Sequence, residues 1–145
     1  MKITYLQHAS LQLKSRRTSL VVDPYYFLSP LEASISRFYP PHAVTADSLG
    51  PLDYVYCSHI HADHAHPRTL TRLKPQIRTL LLPAEKPALE RLARALGFGD
   101  VVLLQDGVRT HLHERLAVTS HAHDNDVDTA LVVEMDGTTV LHAND

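Results

Sequence analysis

The 145-residue sequence contains a single cysteine, Cys57, and no long apolar run. One cysteine cannot form an internal disulfide bond, and it cannot supply the thiolates of a structural zinc cage. The apolar runs, such as the one over residues 101–104, fall far short of the ~20 residues that a membrane-spanning helix needs. The N-terminus alternates apolar and polar residues and lacks the continuous apolar stretch of a signal peptide, so we expect a cytoplasmic protein without a membrane span.

An excess of charge of one sign is missing as well. The formal net charge is -2, with 21% charged and 44% hydrophobic residues, which is ordinary for a globular protein. Because no basic face is indicated, we expect neither nucleic acid nor a membrane surface as a partner. The length suffices for one domain with a hydrophobic core, and we expect that domain to span residues 1–145.

The pattern of apolar residues predicts an α/β layered domain with mostly antiparallel strand pairs. Alternation and short apolar runs predict strands, helical spacing after prolines predicts two helices, and residues 25–51 are predicted to form a long loop. The Asp136-Gly137 pair predicts a tight hairpin turn. The predicted strands are 2–7, 10–14, 19–22, 54–57, 78–82, 101–104, 115–120, 129–135 and 138–142, and the predicted helices are 67–73 and 84–96.

Histidine is abundant, with 11 residues, and several of them form the pattern H-x-H-x-D-H directly after the predicted strand 54–57. If this segment is extended, His59 and His61 point to the same side and can share one metal ion. Asp63 and His64 follow where the chain turns toward a helix, and they can face a second metal. A histidine-rich loop without a metal is the alternative, but four ligand-type residues in six positions favour a metal site.

The H-x-H-x-D-H pattern after a strand resembles the signature of the metallo-β-lactamase superfamily. Asp23 at the end of the strand SLVVDP resembles the acidic first motif of that family. His123 lies where the family places its third histidine, with His121 as the rival position, and Asp145 lies where the family places an aspartate that bridges two metals. The resemblance implies an αββα sandwich, of which this chain corresponds to the N-terminal half.

The resemblance also implies the composition of the site. His59, His61 and His123 would bind the first metal, Asp63 and His64 the second, and Asp145 would bridge them. We expect two divalent ions, with zinc first and iron or manganese as alternatives. Two adjacent metals lower the pKa of a bridging water, which then attacks an ester, lactone, amide or phosphodiester of a small-molecule substrate, while Asp63 relays the proton.

A narrower likeness leaves the reaction open. The stretches LDYVYCSHIHADHAHPRTL and DTALVVEMDGTTVLHAND resemble the metallo-β-lactamase domain of CMP-N-acetylneuraminate hydroxylases, and ITYLQHASLQL also resembles the opening of lactonase-like and phospholipase-like hydrolases. The hydroxylases carry a Rieske centre, which needs two cysteines and two histidines, and the single cysteine here cannot provide one. The first hypothesis is therefore a metal-dependent hydrolase, the second a di-iron oxygenase, and the third a non-catalytic half-domain.

The third hypothesis comes from the C-terminus. In the family, a second half of the domain supplies a final histidine ligand, whereas this sequence ends at Asp145. We therefore expect an incomplete domain whose exposed sheet associates with itself or with a C-terminal half.

Overall fold

The computed structural model describes residues 1–27, 44–123 and 128–144. Two β-sheets pack face to face, and helices cover the outer face of the larger sheet. This layering of helices, sheet and sheet is that of one half of an αββα sandwich, as the sequence predicted. Within the described residues, no helix is long and apolar enough to cross a bilayer.

The larger sheet has six strands that follow one another in chain order. The first, second and third strands pair antiparallel, and the third to sixth strands pair parallel, so the third strand has one neighbour of each kind. Helices lie in the parallel connections, because a crossover between parallel strands is long and usually contains a helix. The strands are β1 (Lys2–Gln7), β2 (Ser10–Lys14), β3 (Ser19–Val22), β4 (Leu52–Tyr56), β5 (Ile77–Pro83) and β6 (Val101–Leu104), and the helices are α1 (Ala46–Leu49), α2 (Pro67–Leu73) and α3 (Pro87–Ala95), with a 3-10 turn at Lys74–Gln76.

The smaller sheet has four antiparallel strands in the order β10-β9-β8-β7. Asp136 and Gly137 connect the strands β9 and β10. Their φ angles are 51° and 76°, which is the left-handed geometry of a two-residue hairpin turn. The predicted hairpin is therefore confirmed. The strands are β7 (Thr110–His113), β8 (Leu116–Ala122), β9 (Thr129–Met135) and β10 (Thr138–His142).

Strand residues of the larger sheet alternate between two separate cores. Val21 and Val55 face the helices, where they pack with apolar residues such as Leu70 and Leu89. Their neighbours in sequence face the smaller sheet and pack with it. Side chains of a strand alternate with a period of two, so each central strand contributes to both layers. The residues facing the smaller sheet include Leu20, Val22, Tyr56 and Leu81.

The predicted strands and helices are confirmed, with differences at their ends. Helix α3 begins at Pro87 rather than at residue 84, because proline fits the first helical turn and lacks the amide that a later position would need. Strand β7 is an addition to the predicted strands. The predicted loop 25–51 contains the short helix α1, where Thr45 and Ser48 form a capping box. Residues 28–43 of that loop lie outside the described residues.

Candidate metal centre

The candidate site lies at the carboxyl ends of the parallel strands β3 and β4. Strand β3 ends at Val22 and is followed by Asp23, and β4 ends at Tyr56 and is followed by the loop 58–66. Ligand sites in α/β sheets form at this edge, because loops from neighbouring strands meet there. The loop is bent rather than extended from residue 59 onward, so the expected strand-like alternation of His59 and His61 is wrong. The two rings nevertheless meet.

A completely buried carboxylate, that of Asp23, anchors the loop. Its Oδ1 accepts a hydrogen bond from the Ser58 backbone amide at 2.7 Å, and its Oδ2 accepts from the Ser58 hydroxyl at 2.8 Å. The same Oδ2 lies 3.1 Å from Nδ1 of His64. Asp23 has a φ of 45°, a left-handed conformation that aspartate tolerates better than most residues.

These contacts determine which imidazole nitrogens face the site. The Ser58 hydroxyl gives its proton to Asp23, so its oxygen can accept one from Nδ1 of His59, at 3.0 Å. Nδ1 of His64 likewise donates to Asp23. Both rings then carry their lone pair on Nε2, and Asp23 orients His64 directly and His59 through Ser58. Such outer hydrogen bonds fix the tautomer of metal-binding histidines.

Three imidazole rings converge in front of this anchor. The ring centroid of His59 lies 4.1 Å from that of His64 and 4.6 Å from that of His61. Nε2 of His59 is 3.0 Å from Nδ1 of His61 and 3.7 Å from Oδ1 of Asp128. Burial lowers the pKa of His59, and the adjacent His64 and His61 lower it further. His59 is therefore held in the neutral form that binds metals.

A second group of donors lies beside the first, toward the solvent. Nε2 of His8, in the turn between β1 and β2, is 2.9 Å from Oδ2 of Asp63, and Nε2 of His64 is 3.7 Å from the same oxygen. One ligand atom from each of these three residues lies within 4.8 Å of the other two. Burial raises the pKa of Asp63, but its own backbone amide, His64 and His8 outweigh that effect and lower the pKa below its usual value.

Residues of the smaller sheet form hydrogen bonds with the loop 58–66 and with the end of β4. The Thr129 hydroxyl, at the start of β9, donates to the Ser58 carbonyl at 2.8 Å and lies 2.7 Å from the Tyr56 hydroxyl. The Asn144 amide nitrogen lies 3.3 Å from Nδ1 of His59, and the buried Oδ1 of Asn144 has no hydrogen-bond partner among the residues described. A polar group thus remains unsatisfied next to His59.

His66 has a structural role. It lies two positions after the H-x-H-x-D-H pattern. The structure shows it buried as the N-cap of α2, with Nδ1 accepting from the Thr69 amide at 3.3 Å and lying 2.9 Å from the Thr69 hydroxyl. His66 therefore caps a helix.

The remaining predicted ligands are not tested. His121 and His123 are exposed at the end of β8, and within residues 1–27, 44–123 and 128–144 neither belongs to a group of three ligand-type residues in close contact. The His123 amide donates to the Asp128 carbonyl at 3.1 Å and so brings Asp128 back toward β8. Asp145 lies outside the described residues. The third-histidine and bridging roles therefore stay predictions.

Three residues of the site, Ser58, Asp128 and Asn144, are not predicted from the sequence. Their contacts with the site join residues far apart in the sequence, up to 85 positions for Asn144 and His59. The donors that do converge, from His8, His59, His61, Asp63 and His64, are all nitrogen or carboxylate oxygen. This donor set fits zinc, iron and manganese, and it includes no thiolate.

Comparison with known proteins identifies the family of the chain. The family model described as a Beta-lactamase superfamily domain matches residues 2–145. A curated protein of Mycolicibacterium smegmatis that carries the name Rieske 2Fe-2S iron-sulfur protein is 32% identical over 158 residues, covering 100% of this chain and 30% of that protein. The cytidine monophosphate-N-acetylneuraminic acid hydroxylase of Mus musculus is 25% identical, and the match covers 100% of this chain and 26% of that protein. The chain thus spans less than a third of these relatives.

Two solved structures extend the comparison. CmlA, a diiron beta-hydroxylase from Streptomyces venezuelae, has a TM-score of 0.78 and 25% identity, with 97% of this chain and 28% of that chain covered. Igni18, a metallo hydrolase from Ignicoccus hospitalis, has a TM-score of 0.64 and 20% identity. The match covers 99% of this chain and 60% of that chain.

Proposed function

The chain belongs to the β-lactamase superfamily, a group of metal-dependent enzymes, and we propose that its loop 58–64 holds a dinuclear centre that hydroxylates a small molecule. The observation that carries the proposal is the convergence of the rings of His61 and His64 on that of His59, in a loop anchored by the buried Asp23 carboxylate. The reaction class follows from similarity. The relatives that reach 25% identity over the chain include two hydroxylases, whereas the solved hydrolases share only the fold.

In this proposal, the donors divide into two neighbouring sets. His59 and His61, with Asp128 nearby, would hold one metal, and His8, Asp63 and His64 would hold the other. When bound, a pair of iron ions would supply oxygen activation. Ser58 and Asp23 keep the Nε2 lone pairs of His59 and His64 directed into the site. Asp63 is 40% exposed, so this side of the site is open to a substrate.

Metal-dependent hydrolysis is the second candidate. The structures of two solved metal-dependent hydrolases superpose on nearly the whole chain, so they share its fold. Imidazole and carboxylate donors also suit zinc, and a zinc pair would supply a water of lowered pKa. In that case the half-exposed carboxylate of Asp63, next to His8 and His64, would accept a proton from that water.

Loading the chain with different metals separates the two candidates. The chain is purified anaerobically and reconstituted with Fe(II) or with Zn(II). A hydroxylase predicts about two tightly held iron ions per chain and a visible absorption band after exposure to oxygen. A hydrolase predicts a colourless zinc protein that turns over generic esters or phosphodiesters. His61→Ala should abolish either signal, while His111→Ala, at an exposed position of β7, should not.

Two results would contradict the proposal. Failure of the chain to retain either metal would remove the dinuclear centre. Retention of zinc with ester turnover, together with poor retention of iron, would replace hydroxylation by hydrolysis.

A further inference from the structure

A cavity of about 320 Å³ adjoins the histidine cluster on the side of His59 and His61. One wall is the loop 59–61, and the other is the segment that leads from β5 into the first turns of α3. The volume lies at the lower end of the range of small-molecule sites, about 300–1,000 Å³. The second wall contributes Glu85, Lys86, Ala88 and Arg91.

The charge of this wall is positive where it faces the cavity. Lys86 and Arg91 line it, and Glu85 is the one acidic side chain that the described residues contribute to the lining. The Glu85 carboxylate accepts a hydrogen bond from the Asp106 amide at 2.9 Å, so it is already engaged with the loop after β6. Two cationic side chains and one carboxylate among the described residues therefore line the cavity.

Arg91 differs from its neighbour on the same helix. Arg94 forms an ion pair with Glu90 at 2.6 Å, one helical turn away. The guanidinium of Arg91 has no ion pair among the described residues. Arg91 lies three and four positions after Ala88 and Pro87, so the three residues share one helix face, the face that lines the cavity.

We propose that this cavity binds the anionic group of a small organic acid, with Arg91 as the main anchor. The inference rests on the proposed function, since it names the substrate class of the same centre. A guanidinium forms paired hydrogen bonds with a carboxylate or a phosphate, the two sources of such an oxyanion. Ile60, which is 45% exposed, and Ala88 provide apolar contacts for the body of the ligand. The reacting atom of the substrate then faces His59 and His61.

The test is anion binding by the metal-free chain, followed through the backbone amide NMR signals of Lys86 and of residues 88–91. Benzoate and inorganic phosphate are the two anionic probes, and benzamide is the neutral control. We expect saturable shifts with at least one anion and none with benzamide. Arg91→Gln should weaken binding by about fivefold or more, whereas the matched control Arg94→Gln should change it by less than about twofold. Arg91→Lys should retain part of the affinity.

Preference between benzoate and phosphate identifies the oxyanion. The inference is overturned if neither anion gives saturable shifts, if benzamide binds as well as benzoate, or if Arg94→Gln weakens binding as much as Arg91→Gln does. Because the chain is metal-free, these outcomes are independent of the dinuclear centre. A chain that binds benzoate but no metal would refute only the proposed function.

Discussion

Nδ1 of His64 lies 3.1 Å from Oδ2 of Asp23, and both side chains are completely buried. The same carboxylate also accepts from the backbone amide and the hydroxyl of Ser58. An ionised carboxylate away from water is tolerated only when its oxygens are hydrogen-bonded, and these donors meet that need. Asp23 therefore joins the end of β3 to the loop after β4 and orients a proposed metal ligand in the same step.

Asp23→Asn tests this anchor. Asparagine tolerates the positive φ at this position, so the backbone can remain unchanged, but the amide cannot accept at both oxygens. Since hydrogen bonds to charged groups contribute about 1.5–3 kcal/mol each, we expect the free energy of unfolding to fall by about 2–4 kcal/mol. Metal affinity should fall about 10–100-fold. Urea unfolding in the presence of a chelator and competitive metal titration measure the two effects.

The control for that variant is Asp47→Asn, since Asp47 is exposed in α1. It should change the free energy of unfolding by less than about 0.5 kcal/mol. Equal losses in the two variants would show that Asp23 is not an anchor.

Ser58 is predicted to set the tautomer of His59. Ser58→Ala removes the acceptor at Nδ1 of His59, so the proton is free to move to Nε2. We expect the imidazole ¹⁵N shifts of His59 in the metal-free chain to change from the Nδ1–H pattern, and metal affinity to fall about tenfold. Ser58→Thr retains the hydroxyl and should restore both. An unchanged ¹⁵N pattern in Ser58→Ala would refute the assignment.

The convergence of His59, His61, Asp63 and His64 could be predicted from the sequence, because the four residues lie within one short loop. Most strands could also be predicted, since each core-facing strand alternates with a period of two. The contact of His8 with Asp63 could not, because it joins residues 55 positions apart. The approach of Asp128 to His59 could not be predicted for the same reason. It depends on how the two sheets stack, and local sequence patterns do not contain that information.

Stability should depend on pH through His59. Burial, with His64 and His61, lowers its pKa in the folded chain below the value of about 6.5 in the unfolded chain. Between these two values the unfolded chain binds more protons, so the free energy of unfolding rises with pH and falls as the pH drops below about 6.5. Urea unfolding of the metal-free chain from pH 5 to 7.5 should show this slope.

The matched comparison for the pH profile is His59→Gln, which removes this titration and leaves the other histidines. We expect a shallower slope over the same range. Parallel profiles of the two proteins would contradict a lowered pKa at His59. The lowered pKa of Asp63 acts in a separate window, since its contribution is present above pH ~4 and is lost as the pH falls below that value.

Exposed apolar residues on two edge strands predict self-association. Ile3 on β1 is 50% exposed and Leu141 on β10 is 63% exposed, and His142 links β10 to the turn after β1 through the Ala9 carbonyl at 2.7 Å. Edge strands with apolar side chains pair readily with other chains. We expect sedimentation velocity to show concentration-dependent association, which Ile3→Lys combined with Leu141→Lys should suppress.

Leu103→Lys is the control for the edge variants, because Leu103 is 39% exposed on β6, at the opposite edge of the larger sheet. It should leave the association unchanged. A wild-type chain that stays monomeric at all concentrations would refute the prediction.

The central claim is that two sets of donors hold two metal ions, and metal counting in matched variants tests it most directly. The reconstituted chain is freed of loosely bound metal, and its content is measured by mass spectrometry. We predict about two ions per chain for the wild type and for His111→Ala, and about one for His64→Ala, since the set around His59 and His61 keeps its own ligands. A wild-type chain without bound metal, or a His64→Ala variant that still holds two ions, would contradict the account.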